Sequence, residues 1–210
     1  MTELPGKVRM LYQAMQELIC EGVDLTATKV SVITDRAGIG KGTAYEYFTS
    51  KEDLIASSLA FFVQETMEEL SIAIQDKSTL SEQLDSLLKE IGEKVRARAG
   101  LLHFVNMLTG SSPISLLFRD KLLLESNDSF RPIQLIAGMI EQAMARGEIQ
   151  AHFPMDYMIL AICSRIITYI TFLTIREELE QVGLQLMRAQ DRGEDEMREY
   201  ICQGILREFR

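Results

Sequence analysis

Apolar residues recur along this chain at helical spacing almost from its start. Val8, Leu11, Tyr12, Met15, Leu18 and Ile19 follow an i, i+3, i+4, i+7 pattern that stops before Gly22, which predicts a first helix. Thr28 stands where an N-cap belongs, ahead of Val30, Ile33 and Ala37, and Gly38 closes this short second helix. A third short helix is predicted from Lys41 to about Phe48. Ser50 then caps a long fourth helix, with Asp53 at the capping-box position and apolar positions running from Leu54 to Ile74. Leu80, Leu84, Leu87, Leu88, Ile91 and Val95 make the next stripe. Gly100, the Thr109–Pro113 cluster and Asn127–Ser129 read as punctuation. Further helices are predicted at about 130–146, 155–181 and 194–209, and no strand-period alternation, internal repeat or low-complexity linker is present. The pattern predicts an all-α chain with a boundary at the loop near 49–50: three short helices over residues 1–49, then long helices over 50–210.

Composition narrows this picture. The 210 residues carry 22 Lys+Arg against 31 Asp+Glu, a net charge of −9, which argues against coating nucleic acid by bulk attraction. Cys20, Cys163 and Cys202 share no short spacing, and His103 and His152 are the only histidines. No disulfide framework, zinc site or cofactor is expected, each cysteine reads as a small buried hydrophobe, and a reducing cytoplasm fits best. Tyr157–Ile175 is apolar enough to weigh as a membrane span. Arg165 at its centre and acidic residues at both ends favour a buried helix.

Local charge tells a different story. Residues 28–51 hold Lys29, Arg36, Lys41 and Lys51 against Asp35 and Glu46, net +2. This segment reads T-K-V-S-V-I-T-D-R-A-G-I-G-K-G-T-A-Y-E-Y-F over 28–48: a helix, a turn with glycine, and a second short helix. That is the helix-turn-helix pattern, whose second helix enters the major groove. Val30, Ile33, Ala37, Ile39, Ala44 and Phe48 can close a small core with the first helix. Lys41, Gly42, Thr43, Tyr45 and Tyr47 are left for the outer face, as donors and acceptors for phosphates and base edges. Gly42 in the first turn costs up to about 1 kcal/mol against Ala, which close approach to DNA would offset. A phosphate loop is the rival reading of G-I-G-K-G-T. It fails because Asp35 stands where the first Gly belongs and Gly42 where a magnesium-holding Ser or Thr is needed. A plain helical hairpin leaves the clustering of Lys, Thr and two Tyr without a cause.

The run A-G-I-G-K-G-T-A-Y-E-Y-F-T-S-K-E-D-L resembles the signature of the tetracycline-repressor (TetR) family, and the resemblance spans residues 8 to 55. It implies an all-helical homodimer whose small N-terminal domain binds a palindromic DNA operator and whose larger domain binds a small effector that releases the DNA. By position, Lys41, Gly42, Thr43 and Tyr45 match recognition-helix positions of the family, and Thr28, Tyr47 and Lys51 match phosphate-contacting ones. Lys29 adds to the basic cluster. Arg36 stands where Ala is common and adds a phosphate contact, Gly40 replaces a Ser and weakens the third helix's cap, and Ala44 replaces a Leu.

After residue 55 no catalytic constellation is apparent, and an enzyme is not expected. A pocket for a small, largely apolar effector is expected between helices near 100–108, 133–146 and 157–176. His103, Phe104, Met107, Met139, Met144, Tyr157, Ile162, Arg165, Tyr169 and Phe172 are its candidate lining, against the alternative that each is simply core. Arg165 needs an acidic partner, a dimer contact or an anionic ligand. Glu90 and Lys94 read as a solvated i,i+4 pair. The resemblance places the dimer contact on the last two helices, where Met197, Ile201, Ile205 and Phe209 form a stripe and Gly204 allows close approach. The main expectation is a homodimeric, ligand-released repressor. Its alternative is a helical DNA-bound protein without an effector, whose larger domain docks a protein partner.

Overall fold

The computed structural model describes residues 4–97, 110–124, 131–150, 152–181 and 193–209. The described residues form nine helices and no strand: α1 (Gly6–Cys20), α2 (Val30–Arg36), α3 (Lys41–Tyr47), α4 (Lys51–Gln75), α5 (Leu80–Ala97), α6 (Pro113–Leu124), α7 (Arg131–Ala145), α8 (Met155–Gln181) and α9 (Glu194–Phe209). The chain divides into two compact units, one of residues 1–65 with 97–127 and the other of 66–96 with 128–210.

Glycine sets the helix ends. Gly22, Gly38 and Gly147 all have positive φ, where side-chain-bearing residues are strained. Beyond each of them a backbone N–H reaches back into the last turn: Val23 to the Leu18 carbonyl, Ile39 to Thr34 and Glu148 to Ala143. These are Schellman ends, which satisfy carbonyls that a helix otherwise leaves bare.

In the first unit, α1, α2 and α3 close on one small core. Leu11, Met15 and Leu18 of α1 are buried together with Val30, Ile33, Ala37, Ala44 and Phe48, while Ile39 is half-buried. Tyr12 stacks toward Phe48 and Phe61, at ring distances of 6.0 and 5.1 Å. Ser50 caps α4 by accepting the Asp53 N–H at 3.0 Å. The Asp53 carboxylate reaches back to the Thr49 N–H at 2.8 Å and its hydroxyl at 2.9 Å, and the Lys121 ammonium of α6 lies 2.9 Å away. Burial would raise the Asp53 carboxyl; the Lys121 and Thr49 hydrogen bonds outweigh it and hold the group below its ordinary range.

Helix α6 was not among the predicted elements. Its start lies inside the Thr109–Pro113 cluster: Ser112 accepts the Ser115 N–H at 3.1 Å as an N-cap, and Pro113 takes the first helical position, where a missing N–H costs nothing.

In the second unit, α5, α7, α8 and α9 bury Leu84, Leu88, Ile140, Ile162, Tyr169 and Ile205. The Gln150 N–H donates to the Phe209 carbonyl at 2.9 Å, pinning the end of α9 to the connection before α8. Lys94 corrects the expectation of a solvated pair. Its ammonium meets Glu69 of α4 as well as Glu90 at 3.5 Å, and its side chain is largely covered.

Two further expectations change. Cys20 is exposed, whereas Cys163 is half-buried and Cys202 buried. Desolvation pushes the Cys202 thiol up to about 12, with Asp85 adding to it, so it stays protonated and inert. Helix α8 is not a buried helix: Met155–Ile175 is long and apolar enough to cross a membrane, yet only 28% of it is buried in this chain. Its apolarity runs around the whole helix, and one face has no cover among the described residues.

Candidate nucleic-acid interface

The turn at Ala37–Gly40 sets α3 against α1 and α2 through two anchors, Ala44 and Phe48. A seven-residue helix cannot persist alone, so its orientation comes from those contacts. Everything else on α3 points outward: Lys41, Gly42, Glu46, Tyr45 and Tyr47 are exposed, and Thr43 is half-buried. Tyr45 and Tyr47 keep 46% and 41% of their surface in solvent, high for large aromatic side chains. Lys41 Nζ lies 6.0 Å from the Tyr45 ring centroid, a loose cation–π contact that leaves the ammonium in water.

Local stability is given up here. Gly40 precedes the helix without a side-chain hydrogen bond to its first N–H groups, and no acidic residue occupies the first turn. Lys41 there opposes the helix dipole. A Cβ on Gly40 or Gly42 would meet nothing within 4 Å, so no intramolecular contact requires either glycine. An uncapped start, a cation against the dipole and two unneeded glycines are unfavourable for folding. They suit a surface that a polyanion approaches closely.

The surrounding basic residues divide into two kinds. Lys29 is exposed at the N-cap of α2, the position expected for Thr28. Thr28 is 8% exposed and its hydroxyl donates to the Asp24 carbonyl at 2.6 Å, so its side chain is engaged within the loop. Arg36 grips Glu21 through both terminal nitrogens, at 2.8 and 3.0 Å, and approaches Glu17 at 3.5 Å. Its guanidinium is held above its ordinary value by the Glu21 hydrogen bond, and Glu21 is lowered in turn. Lys51 donates to the Thr26 carbonyl at 2.7 Å, tying the start of α4 to the loop before α2. That loop is shaped by Asp24, whose carboxylate accepts the Thr26 N–H at 2.8 Å. The structure thus brings Lys29, Lys41, Gly42, Thr43, Tyr45, Tyr47 and Lys51 into one region and engages Arg36 elsewhere. Neither Glu17 nor Glu21 carried a local sequence signal for this role, because each lies at least fifteen positions from Arg36.

The residues expected to bind an effector are not brought to one place. His103, Phe104 and Met107 lie outside the described residues. Met139 borders a cavity. Ile162 is buried, while Met144 and Phe172 are half-buried. Tyr169 is fully buried beside Gly92, where a Cβ would come within 3.0 Å of its hydroxyl, and that hydroxyl engages Arg198. Arg165 pairs with Glu208 of α9 and donates to the Ala161 carbonyl at 3.3 Å. Tyr157 donates to the same carboxylate at 2.7 Å. The Tyr157 hydrogen bond, with Arg165 behind it, holds Glu208 below the usual carboxylate range. Arg165 therefore has its acid within the chain.

The stripe expected at the dimer contact is corrected as well. Ile201, Ile205 and Phe209 are buried in their own unit, Ile205 completely, and Met197 is half-covered. A Cβ on Gly204 would face the Arg165 guanidinium at 3.8 Å, so its close approach is to α8 of the same chain. An amphipathic helix uses its apolar stripe first to attach to its own subunit. An uncovered apolar face lies instead on α8, where Tyr157, Leu160, Ile167 and Ile175 are exposed with Ser164 and Thr168 between them, and Tyr200 of α9 is exposed as well.

Residues 11–57 match the family described as bacterial regulatory proteins, tetR family. No match was found among curated proteins. Among solved structures, the transcriptional regulator FadR from Bacillus subtilis in complex with stearoyl-CoA aligns with a TM-score of 0.71 at 17% identity, covering 94% of this chain and 97% of FadR. The fatty acid degradation regulator FadR from Bacillus halodurans gives 0.73 at 15% identity, covering 98% and 97%. Reduced NemR from E. coli gives 0.67 at 12%, covering 97% and 98%. At these identities the structures establish a shared fold.

Proposed function

We propose that this chain, a tetR-family transcriptional regulator by its residues 11–57, acts as a homodimeric repressor that binds a palindromic operator and is released from it by a small molecule. Residues 1–49 form the DNA-binding domain in this reading and residues 50–210 carry effector binding and dimerisation. The protein works in the cytoplasm, where its DNA is.

One observation carries the reading. Helix α3 is anchored by Ala44 and Phe48 and presents Lys41, Gly42, Tyr45 and Tyr47 to solvent with no intramolecular need for them there. Lys41, Thr43 and Tyr45 read base edges, Gly42 lets the backbone approach, and Lys29, Tyr47 and Lys51 hold phosphates. Few cations take part, so the salt dependence of binding is moderate.

Dimerisation follows from mechanism, because two recognition helices must meet successive major grooves about 34–36 Å apart. The uncovered apolar face of α8 supports it: Leu160 keeps 67% of its surface exposed, and a second copy of the same face would cover it as an isologous contact. Support for an effector comes from the fold relative that binds stearoyl-CoA. An effector acts by binding more tightly to the state whose DNA heads are wrongly spaced.

Selection of bound duplexes from a random pool tests the reading. An inverted repeat with half-sites about one helical turn apart is the expected product. Failure to enrich any sequence would contradict it.

A further inference from the structure

The proposed function leaves one exposed residue of α3 without a role. Glu46 stands in the last turn of the helix, where the dipole disfavours an acid. With Asp35 it is one of two acids in residues 28–51, whose four cations give a net +2. Ala44 faces the core, and at about 100° per residue Glu46 stands about 200° from it, on the opposite side of the helix. Gly42 lies one turn earlier on that same line, with Thr43 to one side and Tyr45 to the other. Glu46 therefore occupies the middle of the outward face.

No contact within the chain accounts for it. Nearby acids serve the fold: Glu17 and Glu21 hold Arg36, Asp24 shapes the loop before α2, and Asp53 joins Thr49 to Lys121. Glu46 forms no hydrogen bond or ion pair among the described residues. Lys41, the other charge on α3, has its Nζ 6.0 Å from the Tyr45 ring centroid. A Cβ on Gly42 would meet nothing within 4 Å, so the Glu46 side chain is not folded back over that turn. Its carboxylate is open to a partner from outside. On a surface that meets DNA, an acid repels every phosphate near it and lowers general affinity. Only a specific base contact can offset that loss.

We propose that Glu46 is a specificity-determining residue whose carboxylate accepts the N4–H of a cytosine in each half-site. The chemistry of the major groove selects that base. A carboxylate accepts and does not donate. Guanine presents two acceptors there, and thymine an acceptor and a methyl group. Adenine sets its N6 amino group beside the N7 acceptor, whereas cytosine offers N4 with no acceptor of its own beside it. The same charge that favours cytosine penalises the other bases at that position and phosphates off the operator. This role rests on the DNA-binding reading of α3 and adds a base contact to it.

Selection from a random duplex pool, run in parallel on the full-length wild type, Glu46→Gln and Glu46→Ala, tests it. The wild type should enrich cytosine at one position of each half-site. Glu46→Gln should move that position toward adenine, whose N6 and N7 suit an amide, and leave the other positions as they were. Glu46→Ala should lose the preference at that position alone and bind the wild-type operator roughly tenfold more weakly. It should also bind a random-sequence duplex more tightly at low salt, because a repelling charge is gone. Thermal melting should be alike for all three proteins, since the side chain is exposed. A residue with a merely structural role would not move a single base position. Unchanged base frequencies in both variants, or a loss spread evenly over all positions, would overturn the role of Glu46. So would a variant-sensitive position that holds a base other than cytosine in the wild type. In each of those cases the wild type still selects a sequence, and the DNA-binding reading stands. A wild type that enriches nothing would overturn both.

Discussion

Helices α3 and α8 both leave surface uncovered, and they do so in opposite ways. Helix α3 has seven residues, buries Ala44 and offers cation, hydroxyl and phenol to solvent. Helix α8 has 27 residues and leaves Leu160, Ile167 and Ile175 in water. A polar face in solvent costs little and waits for a polar partner. An apolar face in solvent is unfavourable at about 25 cal/mol per Å² and calls for its own kind. In the proposed function the two surfaces have different partners, a polyanion for α3 and a second chain for α8.

The largest effect should come from breaking the apolar side. Leu160→Arg with Ile167→Arg changes exposed residues only, so stability of the single chain should move by no more than about 0.5 kcal/mol each. Sedimentation should show dissociation to monomers, and operator affinity should fall about 10²- to 10⁴-fold as two linked half-sites become independent. Ile205→Ala is the counterpart inside the chain. It should cost about 2–5 kcal/mol in denaturant unfolding, because Ile205 is completely buried.

On the polar side, Tyr45→Ala should weaken operator binding by about 1–3 kcal/mol and relax sequence preference, whereas Lys51→Met should weaken operator and random DNA alike. Equal losses on both DNAs for Tyr45→Ala would remove α3 as the reading helix. Selection followed by sequencing distinguishes the outcomes.

Between these extremes lies Asp53, which joins Lys121 to the start of α4. Asp53→Asn should cost about 1–3 kcal/mol at neutral pH. The folded pKa lies below the ordinary 3.8, so this contribution is fully present above that value. The gap between wild type and variant should close as pH falls through the lowered pKa, which urea titrations across pH would record.

The smallest effect sharpens the comparison most finely. Gly42→Ala should raise stability by up to about 1 kcal/mol, since the added methyl meets nothing within 4 Å. If DNA comes as close as proposed, the same methyl should lower operator affinity while melting temperature rises.

Much of this contrast was legible in the sequence, and the residues explain where it was not. The α1–α3 core could be read because Val30, Ile33, Ala37, Ala44 and Phe48 sit on helical spacing between glycine stops, a local signal. The α9 stripe was equally visible, yet spacing does not say which neighbour an apolar face meets, and Ile201 and Ile205 turned inward. For Arg165 the sequence leaves an acidic partner, a dimer contact and an anionic ligand open, and the structure supplies an acid, Glu208. Glu208 lies 43 positions away and only the packing of α9 on α8 delivers it. Arg36 and Lys94 show the same limit, with partners at the end of α1 and on α4. Helix α6 was hidden because Ser112–Pro113, a loop signature by composition, is also a helix start.

The stoichiometry of the protein on one selected operator duplex tests the central claim most directly. Native mass spectrometry should find two chains per duplex for the wild type and loss of that complex for Leu160→Arg with Ile167→Arg. A stable complex of one chain per duplex, or two chains retained by the substituted protein, would contradict the assignment of α3 to DNA and α8 to a second copy.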